Sequence, residues 1–138
     1  MTIPMMLLLS ALEAPSQPAA EAYTPEQLAV GAIREIITAQ HVHEQKYPEL
    51  GYACSLERLV ETQMLLDTWL QGGRVEGYSF RLWCEKSSAP QASFRASAVP
   101  VKKAKGATWT VCTDETNVPR TVEGDVETCF TRGDTGPK

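Results

Sequence analysis

Apolar residues recur at three- and four-residue steps in the segment that begins near residue 24. Thr24 is suited to cap a helix, Pro25 to occupy its first turn, and Gln27 stands where a capping box needs it. One face of this helix would collect Ala29, Ile33, Ile36, Gln40, His43 and Tyr47. Because a residue before proline avoids helical angles, the pattern ends at Tyr47-Pro48. The sequence predicts a long amphipathic helix from residue 25 to about 46, packed on a sheet.

Two shorter helical segments are predicted next. After a turn at 49–52, Ser55 can cap a short helix that carries Leu56, Leu59 and Val60. Asp67 can cap one further helical turn that runs through Leu70, and Gly72-Gly73 would stop it.

The remainder of the chain is typical of β structure. Alternating positions predict strands over 78–83, 94–101 and 108–113, joined by connections short enough for an antiparallel meander. The tail from 114 to 138 is polar, with three apolar residues to bury, Val122, Val126 and Phe130. The predicted fold class is α+β: the helix packs on a small antiparallel sheet of three to four strands.

Composition narrows the possible roles. The chain has 138 residues, of which 43% are hydrophobic and 22% charged, as expected for one globular domain. A net charge of -4 argues against nucleic acid, because binding phosphates requires clustered cations. The one basic cluster, 102–105, is interpreted as a solvated hairpin tip.

The N-terminal segment indicates export. Its apolar run, 3–12, is too short to span a membrane but suits a signal peptide, and Ala20-Glu21-Ala22 offers a cleavage site. Residues 1–22 are therefore predicted to be a signal peptide or a disordered segment, and 23–138 a globular domain in the periplasm or outside the cell. An alternative is that Met1 is a misassigned start and that upstream sequence, including an anchor helix, is missing.

Four cysteines at wide spacing favour two disulfides in an oxidising compartment. Three pairings are open. We favour Cys54–Cys84 and Cys112–Cys129, because the second pair would tie the polar tail to the last strand.

Three stretches in this order resemble bacterial type IV pilin-like proteins and type II secretion pseudopilins. The first is the helix from Ala32 to Gln40, followed by Tyr47-Pro48 and Gly51-Tyr52. The second runs from 65 to 80 and ends in Gly77-Tyr78-Ser79-Phe80; the third is Thr113-Asp114-Glu115-Thr116-Asn117-Val118-Pro119-Arg120, in which Asn stands where the family has Gly.

The resemblance implies the soluble head domain of such a protein, a structural role and protein partners among pilus or secretion-system subunits. The family's prepilin peptidase site and apolar anchor helix are not in the given sequence, which predicts a soluble or truncated relative. It would be no enzyme.

Candidate sites for chemistry are few. His41 and His43 lie two apart on a helix and therefore point in different directions, so we interpret His43 as a packing residue and His41 as solvated. Trp69, on a short helical turn, is predicted to be partly exposed and is the first candidate for a partner contact. No catalytic residue, cofactor or nucleic-acid site is predicted.

The alternative function is an exported small-ligand or calcium-binding protein that reuses the fold. Carboxylates in a late loop could supply oxygen ligands, and the pseudopilin resemblance also implies calcium held in such a loop. The candidate ligands are Asp114, Glu123 and Asp125, with Glu115 and Glu127 nearby.

Overall fold

A computed structural model describes residues 23–71, 74–101 and 108–135. In chain order its elements are α1 (Pro25–Lys46), α2 (Leu56–Glu61), a 3₁₀ helix (Asp67–Leu70), β1 (Tyr78–Trp83), β2 (Arg95–Pro100), β3 (Thr110–Asp114), β4 (Arg120–Val122) and α3 (Val126–Arg132). The predictions for segment 1–22, for the Gly72-Gly73 helix stop and for the 102–105 hairpin tip lie outside the described residues.

Local signals set the bounds of α1 as the sequence predicts. Thr24 and Gln27 form the capping box, with Pro25 in the first turn, and Tyr47 follows the last helical residue. The predicted apolar face is confirmed at five of its six positions, because Ala29, Ile33, Ile36, Gln40 and His43 are buried, whereas Tyr47 follows the helix and is half-buried. With 22 residues, α1 is about 33 Å long. The bounds of α1 therefore follow from its own sequence, and the packing of its buried face stabilises it.

The sheet is antiparallel, with strand order β1-β2-β3-β4. The three predicted strands are confirmed, with ends that differ by up to two residues. Beyond the three predicted strands, the polar tail forms β4 and the helix α3, neither of which the sequence analysis located. Asp125 caps α3 by accepting a hydrogen bond from the Thr128 amide at 2.7 Å. The fold class is thus α+β, with four strands and an additional C-terminal helix.

Different helices pack on the two faces of the sheet. The face that presents Leu82, Ala96 and Val111 shares one core with α1, in which Ile33 and Phe94 are almost fully buried. On the opposite face, Cys112 forms a second cluster with Cys129 and Phe130 of α3. α3 packs mainly on β3 and β4, and its Phe130 also meets Trp83 of β1 and Arg95 of β2.

The start of β1 is fixed by a buried tyrosine. The Tyr78 hydroxyl donates to the backbone oxygen of Trp109 at 2.6 Å, which ties β1 to the segment that enters β3. Burial, together with the charge of Glu26, raises the pKa of Tyr78 to about 12. The hydroxyl therefore stays protonated and donates this bond throughout the neutral range.

None of the helices that the structure describes is long and apolar enough to cross a membrane.

Candidate interaction surface

An apolar groove runs along α1, opposite the segment that joins α2 to the 3₁₀ helix. It has a volume of about 570 Å³. Its walls are Thr38, Ala39 and Val42 from α1 and Gln63, Met64, Leu65, Leu66 and Trp69 from the facing segment, and Gly31, Arg34 and Glu35 extend it towards the N-terminus of α1. We call it the α1 groove.

The facing segment takes its course from the way α2 ends. Gln63 adopts a left-handed φ of 61° just after the helix. The Gln63 amide donates to the Val60 carbonyl and the Met64 amide to the Leu59 carbonyl, at 3.0 and 2.8 Å. This is the Schellman pattern, which reverses the chain and satisfies the last helical carbonyls. The reversal places the three apolar residues 64–66 against α1.

Trp69 forms the floor of the groove rather than an exposed contact. The expectation of a partly exposed Trp69 is wrong, because only 6% of it is accessible. Its ring meets Phe80 of β1 edge-on, with ring centroids 5.2 Å apart, and the Arg74 guanidinium lies 5.9 Å from its centroid. Asp67 opens the 3₁₀ helix instead of capping it, since Leu66 precedes that helix without a side-chain cap. Trp69 therefore lies beneath the groove surface and is almost inaccessible to solvent.

The rim of the groove is where apolar side chains reach solvent. Leu66 is 74% exposed and Val42 is 44% exposed, on opposite walls. Arg74 and Glu35 form an ion pair at one end, and both side chains remain about two-fifths exposed. The surface therefore has exposed apolar side chains along its two walls and charged residues at one end, a combination found in protein interfaces.

All four cysteines are paired as the sequence analysis favoured, Cys54 with Cys84 and Cys112 with Cys129. The first disulfide joins the loop before α2 to the end of β1. The second joins β3 to α3 and is fully buried at both residues. No thiol is therefore free for nucleophilic or metal chemistry.

The two histidines have the roles that the sequence analysis gave them. His43 is 1% exposed; its Nδ1 lies 2.7 Å from the Gly51 carbonyl oxygen, and its Nε2 accepts from Nε of Arg58 at 3.1 Å. Because a carbonyl can only accept, Nδ1 carries the proton and the ring is neutral. Both nitrogens are thus engaged in joining α1 to the next two segments. His41 is exposed and contacts Gln45.

Two of the three candidate calcium ligands, Asp114 and Asp125, have local partners. Asp114 accepts from the amide and the hydroxyl of Thr116. Asp125 caps α3, and its bonds with Thr128 hold the pKa of its carboxyl below the usual range. Across the ranges that the structure describes, no group of three or more histidine, cysteine or acidic side chains is placed to hold a metal ion. The geometry therefore gives the calcium alternative no support.

The α1 groove was not predicted, although one signal for it is visible in the sequence. Met64, Leu65 and Leu66 are three consecutive apolar residues outside a helix or strand. Consecutive side chains in such a segment point in different directions, so the run indicates that one apolar side chain reaches the surface. Leu66 is that residue.

Comparison of the chain with protein-family models, with curated proteins and with solved structures found no match.

Proposed function

We propose that the protein is a non-enzymatic interaction domain that binds a protein partner through the α1 groove. The observation that carries this proposal is Leu66, a leucine 74% exposed on the rim of an apolar groove. Burying such a side chain contributes about 1.5–3 kcal/mol, so a partner that covers Leu66 would gain this free energy on binding.

The occupant that fits best is the apolar face of a partner helix. The groove follows α1 from Gly31 to Val42, a length of about 16 Å. That length holds three turns, which matches anchors spaced at i, i+4 and i+7 in helix-in-groove recognition. Gly31 is exposed and has no side chain, which allows a second helix to approach α1 closely.

Two further observations support a place in an exported, pilin-related system. Two disulfides in a chain of this size favour an oxidising compartment, hence the periplasm or the exterior. The resemblance to pilin-like and pseudopilin heads is supported by an N-terminal helix packed on a four-stranded antiparallel sheet. Its third motif forms the β3–β4 turn, where Asn117 takes the left-handed φ of 66° that the family's glycine implies. The partners would then be pilus or secretion-system subunits.

Two steps test this proposal. Photo-cross-linking from position 66 in the native host identifies the partner, and binding is then measured with that partner purified in its free form. We expect Leu66→Asp to weaken binding about 30-fold, because burying an exposed leucine in an interface contributes about 2 kcal/mol. Val118→Asp is the matched control, since Val118 is 40% exposed on the remote β3–β4 turn. The control should bind as wild type does. Equal binding by both variants, with melting temperatures unchanged, would contradict the proposal.

A further inference from the structure

The outer edge of β1 is open, and its hydrogen-bonding pattern can be assigned. The Val101 amide donates to the Gly77 carbonyl at 2.7 Å, which makes these residues a hydrogen-bonded pair. Such pairs alternate along an antiparallel ladder, so 79, 81 and 83 bond to β2. Tyr78 lies opposite Pro100, which has no amide to donate, and this agrees with the assignment. The backbone groups of Phe80 and Leu82 therefore point away from the sheet.

These outward groups are unpaired among the residues that the structure describes. The Tyr78 amide, which also points outward, donates to the Val75 carbonyl at 3.1 Å. Phe80 and Leu82 have no such partner, and β1 is the terminal strand of the sheet. Two donors and two acceptors thus face outward from the terminal strand, at Phe80, which is half-buried, and at Leu82, which is 5% exposed.

Grooves lie on both sides of this edge. On the α1 side, a groove of about 650 Å³ is lined by Trp69, Leu70, Phe80 and Val101, of which Leu70 and Val101 are nearly half exposed. On the other side, a groove of about 570 Å³ lies between Arg81 and Glu127 of α3. Successive side chains of a strand added at the edge would enter the two grooves alternately, since they point to opposite faces.

The charge of the second groove indicates which side chains it would accept. Arg81 is exposed, and its guanidinium lies 4.5 Å from the Trp83 ring centroid. The two carboxylates nearby, on Glu85 and Glu127, pair instead with Arg95. Arg81 has no carboxylate partner in the described part of the chain, so an acidic residue opposite it would be stabilised.

We propose that β1 accepts an extended segment of a protein partner as a fifth strand. That segment alternates apolar side chains, which enter the groove beside Phe80, with acidic ones, which face Arg81. Backbone bonds to Phe80 and Leu82 supply affinity, and the two grooves supply specificity, as in strand addition generally. A second copy of this chain fits less well, because pairing β1 antiparallel with itself places Arg81 opposite Ser79, a second Arg81 or Trp83, none of which carries a carboxylate.

This inference rests on the proposed role as a binding domain but uses a surface that shares one residue, the buried Trp69, with the α1 groove. Leu66 does not line either groove beside β1. Leu66→Asp should therefore leave strand addition unchanged, and failure of one site does not imply failure of the other.

The test uses three synthetic peptides and measures binding together with amide hydrogen exchange. The first, acetyl-Thr-Val-Glu-Val-Glu-Val-Thr-amide, should bind and slow the exchange of the Phe80 and Leu82 amides. The second has lysine in place of glutamate and should bind about fivefold more weakly, because like charges then meet at Arg81. The third is the glutamate peptide with N-methyl groups on the residues that face β1, and its binding should be lost.

The variant Arg81→Glu, at an exposed position, is expected to fold and to reverse the preference in favour of the lysine peptide. Equal affinity for both charged peptides, no reversal in the variant, or undiminished binding of the methylated peptide would each overturn the proposal. Protection of the Phe80 and Leu82 amides by dimerisation of the protein alone would also overturn it, since the occupant would then be a second copy.

Discussion

Replacing Gly51 with alanine is expected to lower the free energy of unfolding by about 3 kcal/mol or more. Gly51 has a φ of +77°, and a Cβ there would lie 2.2 Å from the backbone oxygen of Gln91 and 2.6 Å from its nitrogen. The left-handed angle alone costs about 1–2 kcal/mol with a side chain present. Relieving the contact also requires 50–52 to move away from Gln91, which breaks the bonds from the Tyr52 amide and to the Leu50 carbonyl.

Thermal unfolding is the measurement, and a fall of roughly 10 °C in Tm is expected. Gly31→Ala is the matched control, because a Cβ at Gly31 in the middle of α1 meets nothing within 4 Å. Removing a glycine from a helix interior should stabilise the protein by about 1 kcal/mol. If both variants shifted Tm alike, the close approach of the 49–52 turn to Gln91 would be wrong.

The second large effect is expected for Gln40→Leu, with a loss of about 2–5 kcal/mol. Gln40 is fully buried and bonds both backbone groups of Ala53: its Nε2 donates to the carbonyl and its Oε1 accepts from the amide, each at 2.7 Å. Leucine fills similar space but leaves the two groups of Ala53, itself 2% exposed, without partners. Each buried unsatisfied group costs about 1–3 kcal/mol.

Urea unfolding measures this loss, and Gln45→Leu on the same helix is its control. Gln45 is exposed and hydrogen-bonds to the exposed His41, so a change within about 0.5 kcal/mol is expected. A Gln40→Leu protein as stable as the control would show that Gln40 does not fasten Ala53, and with it the neighbouring Cys54, to α1.

The parts of the fold that were predicted correctly are those with local causes. The bounds of α1 follow from Thr24, Pro25 and Tyr47-Pro48, which act on their immediate neighbours. Its buried face follows from periodicity alone, and so do the three longer strands. Even Gln40 and His43, both polar, were placed on the buried face by their spacing, although their partners, 8 to 15 residues away, could not be named.

The parts that were missed depend on distant contacts. The seven residues of α3 are too few to form a stable helix alone, and α3 is held by Cys129 and Phe130 against β3. The α1 groove depends on Gln63, a residue that does not announce a left-handed helix end as glycine would. Trp69 was expected to be partly exposed because it lies on a short helical turn, and its contact with Phe80 of β1 cannot be read from that local pattern.

Disulfide mapping of the protein recovered from its native host, alkylated before digestion and without reduction, tests most directly whether this is an exported, disulfide-closed binding domain. The expected result is two linked peptide pairs, Cys54 with Cys84 and Cys112 with Cys129, and no alkylated cysteine. Four alkylated cysteines would contradict it, because the chain would then reside in a reducing compartment and its thiols would be free to react.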